Sequence, residues 1–386
     1  MKKVFVGVFV LCALVFFLPF FFQTSYSSLL NKDSKNESAL ANSAPVFVAT
    51  HLETPNPVKA VYMTACVAGT PSWRNSIKKM IDETELNSVV IDIKDYSGTI
   101  SIVDPTLQGN DVSGCRVKDM ADFIAELHKN NIYTIGRITV FQDPYYSKLH
   151  PNLAVRKKSD GGVWKDHKGL SFIDVGAKPY WDYIVNLSKK SYALGFDELN
   201  FDYIRYPSDG NMEDTHYTWT IGTSTKPEML KTFFSYLHDE LKTVGVKTSA
   251  DLFGMNTTAK DDLGIGQVLE NTLPYFDFVD PMVYPSHYPP TWNGFKNPAD
   301  HPYEVVKLSM QGGIDKTLAL ASSTPGLDPK ITVQKLRPWL QDFDLGATYG
   351  VPEVRAQIKA TYDVGLTSWM VWDAGNTYTV GAFLPK

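Results

Sequence analysis

The sequence predicts a (β/α)8 barrel, a TIM barrel, preceded by an N-terminal membrane anchor and a polar linker. From residue 58 onward, short β-branched runs alternate with helical patterns of ten to twenty residues. Some of the strand segments are continuously apolar, as expected of strands that are covered on both faces. The 386-residue chain leaves residues 58–386 for this part, which suits a barrel of about 250 residues with insertions. The predicted organisation is an anchor or signal peptide over 1–23, a flexible linker over 24–57 and the barrel over 58–386.

The first residues of the sequence predict an export signal. Met1, Lys2 and Lys3 precede an apolar stretch that runs from Val4 to Phe22. A cleavable signal usually has an apolar region of roughly 7–15 residues and ends in a small-x-small site. The stretch here is longer and has no such ending, so we favour an uncleaved single-pass anchor in the cell membrane over a cleaved signal of a secreted protein. In both cases the basic end stays inside and the rest of the chain is extracytoplasmic.

The segment after the anchor is rich in Ser, Asn, Lys, Thr and Pro, a composition too polar to fold alone. The chain has three cysteines, and Cys12 lies inside the apolar run. Cys66 and Cys115 would either pair in an oxidising compartment or remain as free, buried thiols.

The first half of the barrel is predicted as four strands and three helices. Ser88–Lys94 is a buried strand because it is almost continuously apolar, and Gly195 ends the third helix. The strands are Lys59–Val67, Ser88–Lys94, Ile132–Phe141 and Phe196–Asp202. The helices are Pro71–Glu85, Val117–Asn130 and Pro179–Leu194.

The second half continues the alternation. Strand seven has two candidates, Lys316–Ala321 and Lys335–Gln341, of which the second fits the spacing better. A doubly wound open sheet would show the same alternation, but no Gly-rich phosphate turn follows strand one. The other strands are Val246–Phe253, Phe278–Val283 and Thr367–Trp372. The helices are Glu228–Val244, Gly266–Leu273, Tyr303–Gly312 and Val351–Val364.

Composition and motifs narrow the function classes. The net charge of −5 and the absence of a basic stripe argue against a nucleic-acid partner. There is no Gly-x-Ser-x-Gly elbow for a serine nucleophile. The loop histidines make no paired ligand motif, so we predict no metal and no cofactor. The 13% aromatic content suits stacking on sugar rings, although large cores also use such residues.

Acidic residues recur where a barrel carries its active site, at the C-terminal ends of the strands. Any one of them could instead cap a loop or pair with a cation, because Asp favours turns for its own reasons. Their repetition nevertheless favours catalysis. The strand-end acids are Asp95, Asp143, Asp202, Asp251, Asp280, Asp342 and Asp373.

Glycoside hydrolysis needs two carboxyl groups, one protonated and one ionised. Neighbouring like charges and aromatic surroundings raise one pKa while the other stays low. Arg137 and Arg205 are candidates to hold the ionised member, or else to bridge strand-end carboxylates and close the barrel.

Five segments carry a family resemblance. Gly195–Pro207, with the sequence GFDELNFDYIRYP, resembles the strand-four signature of a bacterial family of glycosyl hydrolase-type barrels, related to amylase-like and chitinase-like glycosidases. The other four segments occur in the order expected for the same family, and the one containing Trp339 places strand seven. They are Val90–Asp95, Pro281–Tyr288, Arg337–Phe343 and Trp369–Asn376.

The resemblance implies roles for two acids. Aligned with the chitinase motif, which has two Asp and a final Glu, this chain has Asp197 and Asp202, but Asn200 replaces the middle Asp and Ile204 the Glu. The amylase-like barrels end strand four with a nucleophilic Asp, which corresponds to Asp202. They carry a Glu acid on strand five, where this chain has Asp251.

The leading hypothesis is hydrolysis of an envelope or extracellular polysaccharide, with Asp202 as nucleophile or base and Asp251 as acid. Asp95 and Asp342 are alternates for either role. The alternatives are a non-catalytic, glycan-binding envelope protein on a degenerate barrel and a small-molecule hydrolase or lyase. The predicted carbohydrate-binding residues are Arg137, Arg205, Tyr284, His287, Trp339, Trp372 and Asp373, with Tyr284, Trp339 and Trp372 as the sugar platform.

Overall fold

A computed structural model describes residues 48–107, 114–220, 224–323 and 329–386. Eight parallel strands close into a barrel, as the sequence predicts. Strands β1 to β8 are Lys59–Met63, Ser88–Lys94, Tyr133–Thr139, Glu198–Asp202, Lys247–Phe253, Phe278–Met282, Trp339–Gln341 and Trp369–Trp372. Helices α1 to α7 between them are Pro71–Glu83, Met120–Lys129, Lys178–Tyr192, Lys226–Lys242, Leu269–Thr272, Pro302–Ser323 and Val351–Asp363.

The strands follow one another around the barrel in chain order, and β8 closes it by pairing with β1. Every pairing between barrel strands is parallel, so all eight C-terminal ends meet at one face. After β8 the described chain continues with a short 3-10 turn, Val380–Ala382.

Strand seven lies in the second of its two candidate segments. β7 is Trp339–Gln341, shorter than the predicted Lys335–Gln341. The other candidate, Lys316–Ala321, belongs to helix α6, where Thr317 and Ala321 are buried at a four-residue spacing and Lys316 reaches back to the carbonyl of Asn256. The first strand also ends early, at Met63, because Thr64 caps a short helix, Ala65–Ala68.

The described chain begins with a segment that contacts the N-terminal end of the barrel. The Leu52 amide donates to Asp197 Oδ1 at 2.6 Å, and Thr54 Oγ1 lies 2.9 Å from Tyr133 Oη. Residues 48–57, which the sequence places in the linker, therefore fold with the barrel. The predicted anchor lies outside the described residues, and within them no helix is both long and apolar enough to cross a membrane.

The barrel wall has two faces of different chemistry. In β4 the side chains of Leu199 and Phe201 join the apolar layer between strands and helices. The alternate residues Glu198, Asn200 and Asp202 point inward, as the two-residue period of a strand requires, and contact polar groups of other strands. The barrel interior is therefore partly ionic, and this interior carries the candidate site.

The two cysteines outside the predicted anchor form a disulfide. Cys66 and Cys115 are bonded, with their Cα atoms 4.7 Å apart. The bond connects the helical turn after β1 to the loop after β2, on the side of the barrel where the strands end.

Candidate active site

A cavity of about 300 Å³ opens at the C-terminal face of the barrel. Its walls come from the ends of β3, β4, β5, β6 and β8 and the loops that follow them. They include both acids that the sequence singles out first, Asp202 and Asp251, together with two arginines. The lining residues are Arg137, Asp202, Tyr203, Arg205, Asp251, Phe253, Gly254, Met255, Met282, Tyr284, His287, Tyr288 and Trp372.

Asp202 is held by cationic and backbone donors. Arg137 Nε and Nη2 donate to Asp202 Oδ2 at 3.2 and 2.5 Å, and the Tyr203 amide donates to Oδ1 at 2.6 Å. Arg137 Nη1 donates to Asp92 Oδ1 at 2.7 Å, so its guanidinium lies between two carboxylates. Charge-assisted contacts of this kind favour an ionised carboxylate and fix its orientation.

Asp251 is in a different environment. Its side chain is 1% exposed, and Oδ1 accepts hydrogen bonds from Asn200 Nδ2 and Trp339 Nε1, both at 2.8 Å. Oδ2 has no hydrogen bond to the described residues. Burial, followed by the nearby carboxylates of Asp202 and Asp280, raises the pKa of Asp251 well above its usual range. The proton of a neutral Asp251 would therefore reside on Oδ2.

Below the cavity lies a second ionic group, which is sealed from solvent. Arg337 donates to both oxygens of Glu198 and both oxygens of Asp280, and all three residues are 0% exposed. Burial raises the pKa of Asp280 to about 6, although the Arg337 guanidinium acts in the opposite direction. Asn200 Nδ2 connects this group to the cavity, because it lies 2.8 Å from Asp251 Oδ1 and 3.2 Å from Asp280 Oδ2.

The chain turns sharply where β4 ends. Tyr203 has a φ of 51°, a left-handed conformation that a bulky residue adopts at an energetic cost. Its backbone is secured on both sides, because its amide donates to Asp202 and its carbonyl accepts from the Phe141 amide. This turn brings Tyr203 and Arg205 into the cavity wall directly beside Asp202. Arg205 forms no ion pair with a strand-end acid among the described residues, so neither predicted role in holding or bridging these carboxylates is seen, whereas Arg137 pairs with Asp92 and Asp202.

Two aromatic residues of the predicted sugar platform line the cavity. Trp372 stacks on Tyr62 with ring centres 3.8 Å apart, and the Arg137 guanidinium lies 5.1 Å from its ring. Tyr284 contacts His287, which is exposed at the cavity mouth, edge to face. Trp339 is different: it is 0% exposed and uses its indole N–H to hold Asp251. It therefore cannot stack on a sugar, and its inclusion in the platform is corrected.

Three of the predicted acids hold loops instead of lining the cavity. Asp95 accepts hydrogen bonds from the amide and hydroxyl of Ser97. Asp342 accepts from the amide and hydroxyl of Thr379 at 2.8 and 2.6 Å. Asp373 accepts from backbone amides of the following turn. These are the ordinary turn contacts of Asp, so the structure does not bring Asp95, Asp342 or Asp373 to the candidate site around Asp202 and Asp251.

The other two strand-end acids, Asp143 and Asp280, do not line the cavity either. Asp143 caps a short helix through the Tyr146 amide and pairs with Lys94 at 2.9 Å, and both members of the pair are buried. Asp280 belongs to the sealed ionic group below the cavity. Among the described residues no cluster of His, Cys, Asp and Glu side chains is arranged to hold a metal ion.

Sequence reasoning missed four interior residues that organise the site: Asp92, Glu198, Asn200 and Arg337. Asp92 and Asn200 lie inside strands, Glu198 begins β4 and Arg337 precedes β7, so none of the four is at a C-terminal strand end. A signal was present in β4, where Glu198, Asn200 and Asp202 alternate with Leu199 and Phe201. Polar residues two apart in an otherwise apolar strand predict one polar face, and inside a closed barrel that face must find buried partners.

Comparison with known proteins gives a family match and similar barrel folds. Residues 60–378 match the family model described as "Putative glycosyl hydrolase domain". The glycoside hydrolase domain of PgaB (BpsB) from Bordetella bronchiseptica superposes with a TM-score of 0.58 at 12% identity, over 83% of this chain and 95% of that one. A search of curated proteins finds no match.

Two further solved structures are also similar to this chain. α-L-Fucosidase isoenzyme 2 from Paenibacillus thiaminolyticus has a TM-score of 0.58 at 11% identity, over 84% of this chain; the chain spans 48% of the fucosidase. A hypothetical protein from Ruminiclostridium thermocellum is 29% identical over 53% of this chain and 98% of its own, with a TM-score of 0.45. Of these likenesses, those to the PgaB domain and the fucosidase show the barrel fold.

Proposed function

The chain belongs to the family described as "Putative glycosyl hydrolase domain", and from that membership and the cavity geometry we propose that it hydrolyses glycosidic bonds of a polysaccharide or glycoconjugate. The observation that carries the proposal is the unequal environment of two neighbouring carboxyl groups. Asp202 contacts a guanidinium and an amide, whereas Asp251 is buried beside other carboxylates. Glycosidases need such a pair, one ionised and one protonated.

Asp251 is the proposed general acid. Its raised pKa keeps it protonated at pH values where an ordinary Asp is ionised. Because Asn200 and Trp339 both donate to Oδ1, Oδ2 is the oxygen that can carry the proton. In the reaction Asp251 Oδ2 would donate this proton to the glycosidic oxygen as the bond to the anomeric carbon breaks.

Asp202 is the proposed nucleophile. Arg137 and the Tyr203 amide hold its carboxylate in a fixed orientation. One carboxylate oxygen would attack the anomeric carbon to form a glycosyl ester. Asp251, now ionised, would then deprotonate the water that hydrolyses this ester, and the proton taken from that water restores its acid form.

The strand register supports retention of anomeric configuration. Phe201 of β4 pairs with Ala250 of β5, so Asp202 and Asp251 are the next residues on adjacent strands. The backbones of neighbouring strands lie about 4.8 Å apart, so adjacent side chains in this register can bring their carboxyl groups to the separation of about 5–5.5 Å that retaining enzymes use.

The remaining lining fits a sugar ring. Trp372 and Tyr284 offer aromatic surface beside the two acids, and sugar C–H faces pack on such rings. Gly254 lines the same cavity. A Cβ added at this position would lie 2.4 Å from the Met282 carbonyl oxygen. Larger residues are thus excluded from this part of the wall by the close approach of β6.

We place the enzyme outside the cytoplasm, tethered to the cell membrane by its N-terminus. The proposal rests on the apolar run from Val4 to Phe22 after two lysines. The Cys66–Cys115 disulfide also supports it, because such bonds persist in oxidising compartments. Protease treatment of intact cells tests it: degradation of the barrel while a cytoplasmic marker survives is expected, and full protection would contradict it.

A glycan panel tests the activity. The full chain is incubated with polysaccharides of different linkage, and reducing ends and bound glycan are both measured. Asp202→Asn should lower turnover of any accepted glycan by about 10²- to 10⁴-fold, the usual contribution of such a group. Asp95→Asn is the matched comparison, and it should retain activity within about tenfold because the Asp95 carboxylate is committed to Ser97.

Two results would contradict the proposal. Unchanged turnover by Asp202→Asn would show that the acid assignment is wrong. Glycan binding without release of reducing ends across the panel would favour the non-catalytic, glycan-binding alternative. Proton NMR of the first product formed reports the anomeric configuration, and an inverted product would overturn the nucleophilic role of Asp202.

A further inference from the structure

We propose that Arg205 binds an oxyanion substituent of the substrate, so that the glycan recognised by this cavity is an acidic one. This inference rests on the proposed function, because it concerns the substrate class of the same site. It goes further in assigning a specificity-determining residue and the charge of the ligand.

Arg205 occupies the junction of two cavities. It lines the active-site cavity and also a neighbouring one of about 440 Å³ that lies over the loops after β3 and β4. Tyr203 is the other described residue that lines both. A sugar chain that extends from the two catalytic acids into the second cavity would pass this pair. A substituent on the unit next to the cleaved bond would therefore meet Arg205.

The two guanidinium groups in the active-site wall differ in what they contact. All three donor nitrogens of Arg137 point to carboxylates, those of Asp92 and Asp202. Arg205 is 8% exposed and has no acid within ion-pair distance among the described residues. Its Nη1 donates to the Tyr206 carbonyl and to Ser208 Oγ at 3.0 and 3.2 Å. Its Nε and Nη2 make no hydrogen bond to the described residues.

Aromatic rings hold the Arg205 guanidinium in place. Tyr203 and Phe253 lie 4.8 Å from it and Phe172 lies 5.8 Å from it, measured from ring centre to guanidinium carbon. Rings compensate part of a buried positive charge, but they supply no acceptor for its N–H groups. The edge of the guanidinium that carries Nε and Nη2 therefore remains available to a ligand. This edge is the part of Arg that binds carboxylate or sulfate oxygens in a bidentate manner.

The acids whose charges act on Arg205 are occupied elsewhere, and the first of them, Asp202, is held by Arg137 and the Tyr203 amide. Asp166 and Asp209 line the second cavity, but Asp166 accepts from the backbone amides of Lys168 and Leu170. Asp209 lies 3.6 Å from His167. Because a buried cation without a counter-charge is costly, an anionic ligand that reaches Arg205 would gain the contact that the protein itself does not supply.

Matched pairs of oligosaccharides test the inference by calorimetric titration of the full chain. The carboxylate probes are oligogalacturonate and hyaluronan fragments, each compared with its carboxyl-reduced, neutral counterpart. The sulfate probe is a carrageenan fragment compared with its desulfated form. The wild-type chain is expected to bind at least one acidic member about tenfold or more tightly than its neutral partner, the effect expected of hydrogen bonds to a charged group. The probe that shows this difference identifies the oxyanion.

Variants separate recognition from structure. Arg205→Gln should abolish the preference for the acidic member while binding of the neutral member changes little. Arg205→Lys should restore part of the preference, because Lys retains the charge but not the planar fork. Lys165→Gln is the charge-matched control, because Lys165 is exposed in the same loop but lines neither cavity, and it should reduce the preference less than about twofold, as expected of a solvated charge.

Three outcomes overturn the inference. The first is equal affinity of the wild-type chain for both members of every pair. The second is an equal loss of the preference in Lys165→Gln and Arg205→Gln, and the third is an equal loss of acidic and neutral binding in Arg205→Gln. If Arg205→Gln does not fold, the wild-type pairs and Arg205→Lys still decide. Binding affinity and hydrolysis are measured in separate experiments, so an absence of hydrolysis would count against the proposed function alone. Cleavage of neutral glycans without an acidic preference would overturn only the role of Arg205.

Discussion

The barrel interior contains two arginine–carboxylate clusters with nearly the same composition and different surroundings. In the lower cluster Arg337 contacts Glu198 and Asp280, and all three are 0% exposed. In the upper cluster Arg137 contacts Asp92 and Asp202 beneath an open cavity. The chemistry of the groups is similar, so composition alone does not distinguish a structural ion cluster from a catalytic one. The feature that distinguishes the two kinds of cluster is whether a ligand can reach the carboxylate.

The barrel interior contains more carboxyl groups than guanidinium groups, and this excess of negative charge couples the two clusters. Among the described interior residues, two guanidinium groups face five carboxyl groups: Asp92, Glu198, Asp202, Asp251 and Asp280. Like charges this close cannot all ionise without a large cost, and the pKa values of Asp92, Asp251 and Asp280 are raised. Asp251 lies between the clusters and has no arginine of its own. The lower cluster therefore helps to keep the proposed acid protonated while it also holds the barrel together.

Removing the lower arginine should have the largest effect on stability. Arg337→Met leaves Glu198 and Asp280 buried without their cation, which we expect to lower the free energy of unfolding by about 3–5 kcal/mol. Chemical denaturation of the full chain measures this. Arg355→Met is the matched control, because Arg355 pairs with Glu85 near the surface and such pairs contribute about 1 kcal/mol or less. Equal losses in the two variants would show that the lower cluster is not a special structural element.

The same contrast explains how much the sequence reveals. The barrel follows from strand and helix periodicity, and Asp202 and Asp251 could be found because they end strands. Asp95, Asp342 and Asp373 satisfied the same criterion and are loop caps, since a strand end is also where a turn needs an Asp. Arg337 lies in a segment of family resemblance, but the sequence indicates no role for it, because only the closed barrel brings it to Glu198, 139 residues away along the chain.

Cutting the electrostatic link between the clusters should change the pH dependence of catalysis. The Asp280 carboxylate raises the pKa of Asp251, so Asp280→Asn should lower that pKa. An acid catalyst fails as it deprotonates, and the alkaline limb of kcat/KM should therefore move to lower pH by about one pH unit. The difference should appear only above about pH 6, where Asp280 itself becomes ionised.

The same variant should also change the pH dependence of the free energy of unfolding, which is measured separately from catalysis. A pKa raised to about 6 means that the protonated form of Asp280 stabilises the fold fully below the ordinary Asp range, and that this contribution is lost as the pH rises through about 6. Asp280→Asn should lack this loss. Asp277→Asn is the control, because Asp277 pairs with Lys247 at the partly exposed N-terminal end of the barrel. An alkaline limb that moves equally in both variants would exclude a specific link between Asp280 and Asp251.

The smallest predicted effect acts on Asp251 from the other direction. Trp339 Nε1 donates to Asp251 Oδ1, and such a bond is stronger to a carboxylate than to a neutral acid. Trp339→Phe should therefore raise the pKa of Asp251 and move the alkaline limb to higher pH, by about one pH unit or less. Trp369→Phe removes an indole N–H that bonds Tyr362 on the outside of the barrel, and it should leave the limb unchanged. Shifts of opposite sign in Trp339→Phe and Asp280→Asn would identify Asp251 as the group whose proton limits the reaction. Shifts of the same sign would assign that proton to another residue.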